Sequence, residues 1–356
     1  MKAEDIKITL APTRKEKPDP AKLGFGKYFT DHMFLMDYDP ALGWHDARIV
    51  PFENLSLSPA AAVFHYGAEV FEGLKAYRRP DGQIQLFRPW ENFKRLNNSA
   101  ERITLPQVDP DFVLAALKKL VDIERDWVPS LPGTSLYIRP FLFGSDPFLG
   151  LHTIEKAIYA VILSPVGSYY KEGLNPIKIM IETEDVRAVR GGTGYAKCGG
   201  NYAASNRAGH KAELKGYSQV LWLDGVDRKY IEEVGAMNVM FQIGDTIVTP
   251  KLTGSVLPGI TRMSCVELLK AKGYQVEERL LSVDELKAAM ADSSLKEAWG
   301  TGTAAIVSPI GELSYEDVRY TIAGGKIGPI TQWLYDTLTG IQWGKTEDPY
   351  GWTEIV

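Results

Sequence analysis

The chain has 356 residues, 45% of them hydrophobic and 24% charged, which is the balance of a folded protein with room for two cores and argues against disorder over most of its length. Forty basic against 45 acidic residues leave a net charge of −5, so no large positive field is available to neutralise a phosphate backbone and nucleic acid is not an expected partner. The first twenty residues, MKAEDIKITLAPTRKEKPDP, lack the apolar core of a signal peptide, and the longest apolar run, at 157–166, is too short to cross a bilayer; the chain reads as cytoplasmic, with no membrane partner. Its two cysteines, Cys198 and Cys265, lie too far apart for a CxxC pattern and are expected to stay reduced. Five scattered histidines show no ligand spacing, so no catalytic metal is expected.

After a polar arm, residues 34–38 and 47–50 read as strands, followed by a Ser- and Ala-rich loop. Asp81-Gly82, flanked by AYRRP and QIQLF, suits a tight two-residue hairpin turn. Pro89 starts a helix through about Arg102. Asp109 caps a second, opened by Pro110, in which Phe112, Leu114, Leu117, Leu120 and Val121 recur on one face. SLYIRPFLFG and KAIYAVILSPV then read as strands. The Gly, Asn and Pro of SYYKEGLNP signal a break, giving a first domain at 1–170, a linker at 171–176 and a second domain at 177–356.

In that second part IKIMIE and QVLWLDG are strands, residues 201–214 are helical, and MNVMFQIGDTIVTP is a hairpin about Gly244-Asp245. A helix at 261–272 stops at Gly273, and Ser282 with Glu285 forms a capping box before a helix at 283–291. The glycines of EAWGTGTAAIVSPI predict a close approach of backbone to a ligand. Strands cluster in hairpins rather than alternating with helices, which disfavours a doubly wound nucleotide fold.

The most informative stretch is GGTGYAKCGGNY at 191–202, which sets Lys197 among five glycines and two aromatics. An amine kept from water loses its proton more readily, and the free amine is the nucleophile that forms a Schiff base with an aldehyde cofactor or a ketone. Taken alone, the same glycines could simply build a turn with the lysine outward. Elsewhere, Glu232 and Glu233 sit side by side in KYIEEVGAMN; on a strand they point to opposite faces, and the neighbouring residues leave open which one faces inward or whether both are exposed. LPGITR offers backbone N–H groups of Ile260 and Thr261 where a helix begins, which makes either an anion site or only a turn.

Together these segments resemble the branched-chain amino acid aminotransferases, pyridoxal phosphate enzymes of fold type IV. The resemblance spans nearly the whole chain and rests on FTDHM at 29–33, HYGAEVFEGLKAYR at 65–78, LYIRP at 136–140, SPVGSYY at 164–170, KCGGNYAAS at 197–205, QVLWLDG, EEVGAMNV, LPGITR and GTGTAAIVSP. It implies an α+β protein of two domains, a smaller N-terminal α/β sandwich and a larger C-terminal pseudo-barrel, acting as a homodimer on amino acids and 2-oxo acids.

Carried over by position, Lys197 would hold the cofactor covalently, Glu233 would pair with its pyridine nitrogen and Tyr202 with its ring hydroxyl. Arg95, the N–H groups of Ile260 and Thr261, and the Thr303 hydroxyl would bind its phosphate. The substrate pocket would comprise Phe25, Tyr66, Phe71, Tyr137, Tyr169 and Ala304, with Leu149 and Leu151 resembling residues lent by a second subunit and Arg139 placed for the side-chain carboxylate of glutamate. Two positions depart from some family members: Ala305 and Ser308 stand where a CxxC pair occurs, and Ala236 where a threonine does. Other fold-type IV enzymes, such as D-amino acid aminotransferases and aminodeoxychorismate lyases, would share the lysine and the glutamate, and a binding protein that lost the chemistry would share the fold.

Overall fold

The structure is a computed structural model that describes residues 1–167 and 174–356; Tyr169 and part of the expected linker lie outside the described residues. By contacts the chain divides into two compact units. One is Met1–Lys171 with Ala196–Gly199 and Gly340–Val356, and the other is Glu172–Tyr195 with Gly200–Thr339. Lys197 thus belongs to the first unit, although the segments that flank 196–199 on both sides belong to the second.

The first unit is built on a nine-stranded sheet. Its strands run in the order Lys7–Ile8, Gly43–Pro51, His32–Asp39, Ala157–Val166, Ser135–Gly144, Leu74–Arg78, Ile84–Phe87 and Thr353–Ile355, with Glu69–Phe71 pairing beside Ser135–Gly144. All pairs but the first are antiparallel, as the clustered hairpins predict. Alternation sends Phe34, Met36, Leu74, Ala76, Leu136, Ile138 and Val161 to one face. There they meet Phe93, Leu96 and Ala100 of the Pro89–Arg102 helix and Val113, Leu117 and Leu120 of the Pro110–Ile123 helix. Asp109 caps the latter by accepting the Asp111 N–H at 3.0 Å, and each large side chain of this core contributes about 2–5 kcal/mol against truncation to alanine.

The opposite face carries Met33, Leu35 and Ala160 with half-buried Phe52, Phe141 and Ile162. At its end Lys75, Tyr137 and Ser164 lie in one cross-strand row.

The expected two-residue turn at Asp81-Gly82 is longer. Arg79 N–H donates to the Gln83 carbonyl at 2.9 Å and Gly82 N–H to the Arg79 carbonyl at 3.0 Å, because Pro80 fixes the backbone for the second position of a four-residue turn and Gly82 takes the positive φ, +84°, that follows it. The polar arm is held down: Ala11 N–H donates to His32 Nε2 and Lys15 N–H to Asp31, each at 2.8 Å. His32 in turn bonds the buried Glu124.

The second unit has its own nine-stranded sheet, in the order Ile231–Val234, Gln219–Leu223, Ile177–Ile181, Ile306–Tyr315, Leu295–Gly302, Asn238–Ile243, Thr246–Pro250 and Gln275–Arg279, with Val318–Thr321 beside Ile306–Tyr315. Gly244-Asp245 makes the expected hairpin. The Ile260–Ala271 helix is followed by Gly273 at φ +94°. Ser282 accepts the Glu285 N–H at 3.1 Å, but the other half of the expected box is taken away. Glu285 binds Arg279 instead, Nη1 at 3.0 Å, a charge-assisted partner stronger than a backbone N–H. The Pro329–Gln342 helix went unread in the sequence, although Ile330, Leu334, Leu338 and Ile341 recur at helical spacing and are buried.

Candidate active site

In the first unit the lysine is fixed through its backbone. Lys197 N–H donates to Ser99 Oγ at 2.9 Å, its carbonyl accepts the Phe71 N–H at 2.9 Å, and Cys198 bridges Val70. The next residue, Gly199, donates its N–H to the Glu69 carboxylate, whose pKa burial nonetheless raises. A Cβ on Gly199 would lie 2.2 Å from Glu69 Oε1, so glycine is what lets that carboxylate close on the start of the Gly199–Leu214 helix. Beyond these backbone anchors, the half-buried Lys197 side chain places its Nζ 4.9 Å from the Phe71 ring centre.

Around it stand the residues expected to form the substrate wall. Arg139 lies 4.6 Å from the same Phe71 ring and donates from Nη2 to the Tyr137 hydroxyl at 2.9 Å, while its Nε has no hydrogen-bond partner. Phe25 packs edge-on against Tyr137 at 4.9 Å; its neighbour Phe29 instead stacks on Phe52. The structure therefore brings Phe25, Phe71, Tyr137, Arg139 and Lys197 together. Arg95 is buried and forked onto Glu72, with Nε and Nη2 at 2.7 and 2.8 Å from its two oxygens. Tyr66 ends a short helix, Ala62–Tyr66, and is 43% exposed. Leu149 and Leu151 stand apart from this group, exposed on a loop at 68% and 88%.

In the second unit both glutamates of EEVG are buried on the Ile231–Val234 strand, so the pair is not a solvated one. Glu233 Oε1 accepts the Leu257 N–H at 2.7 Å, and Arg187 Nε stands 3.0 Å from Oε2, an ion pair by distance whose N–H is not aimed at that oxygen. Arg187 is held by its Nη2 on the carbonyls of Gly194, at 3.0 Å, and Ser255. Glu232 faces the other way onto the Ser255 hydroxyl, and burial pushes its pKa up.

Asn238 ties Glu233 to the start of the next helix, donating to the Leu257 carbonyl at 2.9 Å. Gly259 permits this, since a Cβ there would lie 1.9 Å from Asn238 Oδ1. The helix it opens has no side-chain cap and no acidic residue in its first turn. Ile260 and Thr261 therefore begin a helix whose N–H groups and dipole favour an anion. Thr303 and Ala304 sit half-buried in the turn joining Leu295–Gly302 to Ile306–Tyr315. What approaches the glycines of that segment is Met237, whose Cε would meet a Gly300 Cβ at 2.7 Å. Tyr202 is half-buried in the first turn of the Gly199–Leu214 helix. Cys198 and Cys265 are buried and unbridged. Among the described residues no acidic, histidine or cysteine cluster could hold a metal, and no helix is long and apolar enough to cross a membrane.

Sequence reasoning missed Glu69, Glu72, Ser99 and Arg187. Ser99 alone carried a signal, one turn beyond Arg95 on a helix read from Pro89.

The chain belongs to the amino-transferase class IV family, whose sequence profile matches residues 69–313, and it has the fold-type IV architecture of its solved neighbours. It is 55% identical over its full 356 residues to branched-chain-amino-acid aminotransferase 2 of Bacillus subtilis (strain 168), covering 98% of that protein. It is 45% identical to the branched-chain-amino-acid aminotransferase of Mycolicibacterium smegmatis, over 93% of this chain and 92% of that one. Among solved structures it is similar to the branched-chain amino acid aminotransferase of Escherichia coli, with TM-score 0.76 and 27% identity, covering 91% of this chain and 98% of the other. The T.th. branched-chain amino acid aminotransferase, solved with pyridoxamine 5'-phosphate, matches with TM-score 0.76 and 27% identity, over 94% of this chain and 98% of the other.

A phosphorylated pyridoxal needs an amine, a carboxylate for a ring nitrogen and donors for a dianion. Lys197, Glu233, Arg95 and the uncapped helix start at Ile260 supply each of these types, so the residues present fit such a group.

Proposed function

We propose that the chain is a pyridoxal phosphate enzyme that transfers the amino group of L-leucine, L-isoleucine or L-valine to 2-oxoglutarate, giving the branched-chain 2-oxo acid and L-glutamate. The observation that carries this reading is the wall in which Phe71 and Tyr137 flank the Arg139 guanidinium, with Phe25 edge-on against Tyr137 and Lys197 over the Phe71 ring. An aliphatic side chain gains roughly 1.5–3 kcal/mol on full burial against such rings. The second carboxylate of glutamate needs a cation at the same wall, and Arg139 keeps one N–H, at Nε, without a partner. Full-length identity to relatives described as branched-chain enzymes supports the same substrates.

When bound, the cofactor supplies an electron sink for the carbanion left when the substrate α-carbon loses its proton. Lys197 would hold it, and its amine would move the proton at the substrate α-carbon. With its backbone fixed to Ser99 and Phe71, only its side-chain torsions need change, which favours a short proton path. Glu233, beside Arg187, would pair with the ring nitrogen, and Tyr202 with the ring hydroxyl. Arg95, the N–H groups of Ile260 and Thr261, and the Thr303 hydroxyl would bind the phosphate, and Tyr66 and Ala304 would contribute to substrate binding. We assign the exposed loop of Leu149 and Leu151 to a second copy in a homodimer, since apolar side chains this exposed are what a partner surface covers.

The test is the absorbance of the purified protein before and after L-leucine, beside a Lys197→Ala variant. Conversion of the lysine-bound cofactor band to that of the aminated cofactor, absent in the variant, is expected. A band bleached by D-alanine but not by L-leucine would overturn the substrate assignment, and a protein left colourless by added pyridoxal phosphate would overturn the enzyme.

A further inference from the structure

One fully buried carboxylate of the first unit has no part in the chemistry above. Glu72 follows the Glu69–Phe71 strand, its N–H donating to the Pro140 carbonyl at 2.8 Å, and its side chain is turned to the helix-covered face. There its two oxygens take the Arg95 fork, and Oε2 also accepts Asn92 Nδ2 at 2.7 Å and the Gly73 N–H at 3.1 Å. Asn92, Arg95 and Ser99 lie on one side of the Pro89–Arg102 helix, at spacings of three and four. The last of them accepts the Lys197 N–H. Burial, with the Glu72 charge adding to it, raises the pKa of the neighbouring Tyr159 hydroxyl.

We propose that Glu72 is a positioning residue for cofactor binding: it locks the Arg95 guanidinium in the one orientation that meets the phosphate, in register with the lysine that Ser99 of the same helix face anchors. The proposal rests on the reading of Arg95 as a phosphate ligand. An arginine side chain is long and rotamer-rich, and a planar fork on a carboxylate removes that freedom at folding rather than at binding. The charge argument runs the other way, because Glu72 cancels the cation that attracts the dianion. Positioning and simple attraction therefore predict opposite signs when the charge of Glu72 is removed.

The experiment is equilibrium binding of pyridoxal phosphate and of unphosphorylated pyridoxal to the full-length apoprotein, followed by absorbance. Glu72→Gln is expected to weaken pyridoxal phosphate by about tenfold or more and to change pyridoxal by less than about twofold, since of the two only pyridoxal phosphate carries the group that Arg95 meets. Asn92→Ala, which loosens Glu72 without touching its charge, is expected to shift the same ratio by roughly threefold. Tighter binding of pyridoxal phosphate in Glu72→Gln, or parallel weakening of both compounds, overturns the proposal. If Glu72→Gln does not fold, an unchanged ratio in Asn92→Ala overturns it instead. Arg95→Met separates the two levels: if it leaves the ratio unchanged the phosphate reading of Arg95 is wrong, and if it collapses the ratio while Glu72→Gln does not, only the role of Glu72 is.

Discussion

Each unit buries one arginine against one glutamate, and the two pairs are built for opposite ends. In the first unit Glu72 gives both oxygens to Arg95, a true fork at 2.7 and 2.8 Å, so the carboxylate is spent on the arginine. In the second, Arg187 is fastened by carbonyls of Gly194 and Ser255 and merely stands beside Glu233, whose firm bond is to the Leu257 N–H. There the arginine serves the carboxylate. A buried pair is weak evidence for stability, since desolvating both charges offsets their attraction. The difference in geometry therefore points to different tasks: one pair orients a cation, and the other sets a cation beside an anion that is itself held by a backbone N–H.

The comparison can be broken in graded steps. Lys197→Ala should have the largest effect, lowering turnover on the order of 10²–10⁴-fold through lost proton transfer alone, measured in single turnovers with L-leucine. Next comes Arg187→Met, which strands the buried Glu233: stability should fall by about 3–5 kcal/mol in denaturant titration. In that variant kcat should fall more than cofactor affinity does; a loss of affinity with kcat intact would make the second pair resemble the first.

Arg139→Met addresses a cation that is in no such pair. It should raise KM for 2-oxoglutarate by roughly 10–100-fold, the worth of one charged hydrogen bond, and leave KM for L-leucine within about threefold. The smallest effect concerns Lys75, which burial brings down to about 7 from its usual 10.5. Below about pH 7 both folded and unfolded forms hold this proton and the cost of burying the charge is fully present. Between there and 10.5 the unfolded chain holds more protons, so that cost is relieved as pH rises. Lys75→Met should thus stabilise the protein by about 1–2 kcal/mol near pH 6, less than the full shift because water entry and relaxation absorb part of it, and the gain should fade toward pH 10. A gain that does not change with pH would point to packing alone.

Much of this was legible where the signal is local. Pro89 and Asp109 mark their helices, Gly244-Asp245 its hairpin, and the alternation of SLYIRPFLFG its strand. The chemistry was legible through motifs, and Lys197, Phe71, Tyr137 and Arg139 do meet in the structure. What stayed hidden is what distance in sequence hides. Glu72 and Arg95 are 23 residues apart, and nothing in FEGLK announces that its glutamate is buried. Arg187 reads as one basic residue among 40. The turn at Pro80 differs from the Asp-Gly expectation for a local reason, since the proline before that pair lengthens the loop.

The first unit recruits residues from far along the chain, and this has a consequence for synthesis. Its sheet is completed by Thr353–Ile355 pairing with Ile84–Phe87, and Gln85 Nε2 reaches the Ile341 carbonyl at 2.8 Å. While the ribosome is still adding the second unit, the Ile84–Phe87 edge is an unpaired row of backbone donors and acceptors, open to pairing with another nascent chain. The Ile84–Phe87 edge is thus covered only after the second unit has been made, and the yield of the first unit should depend on how quickly residues up to 355 emerge.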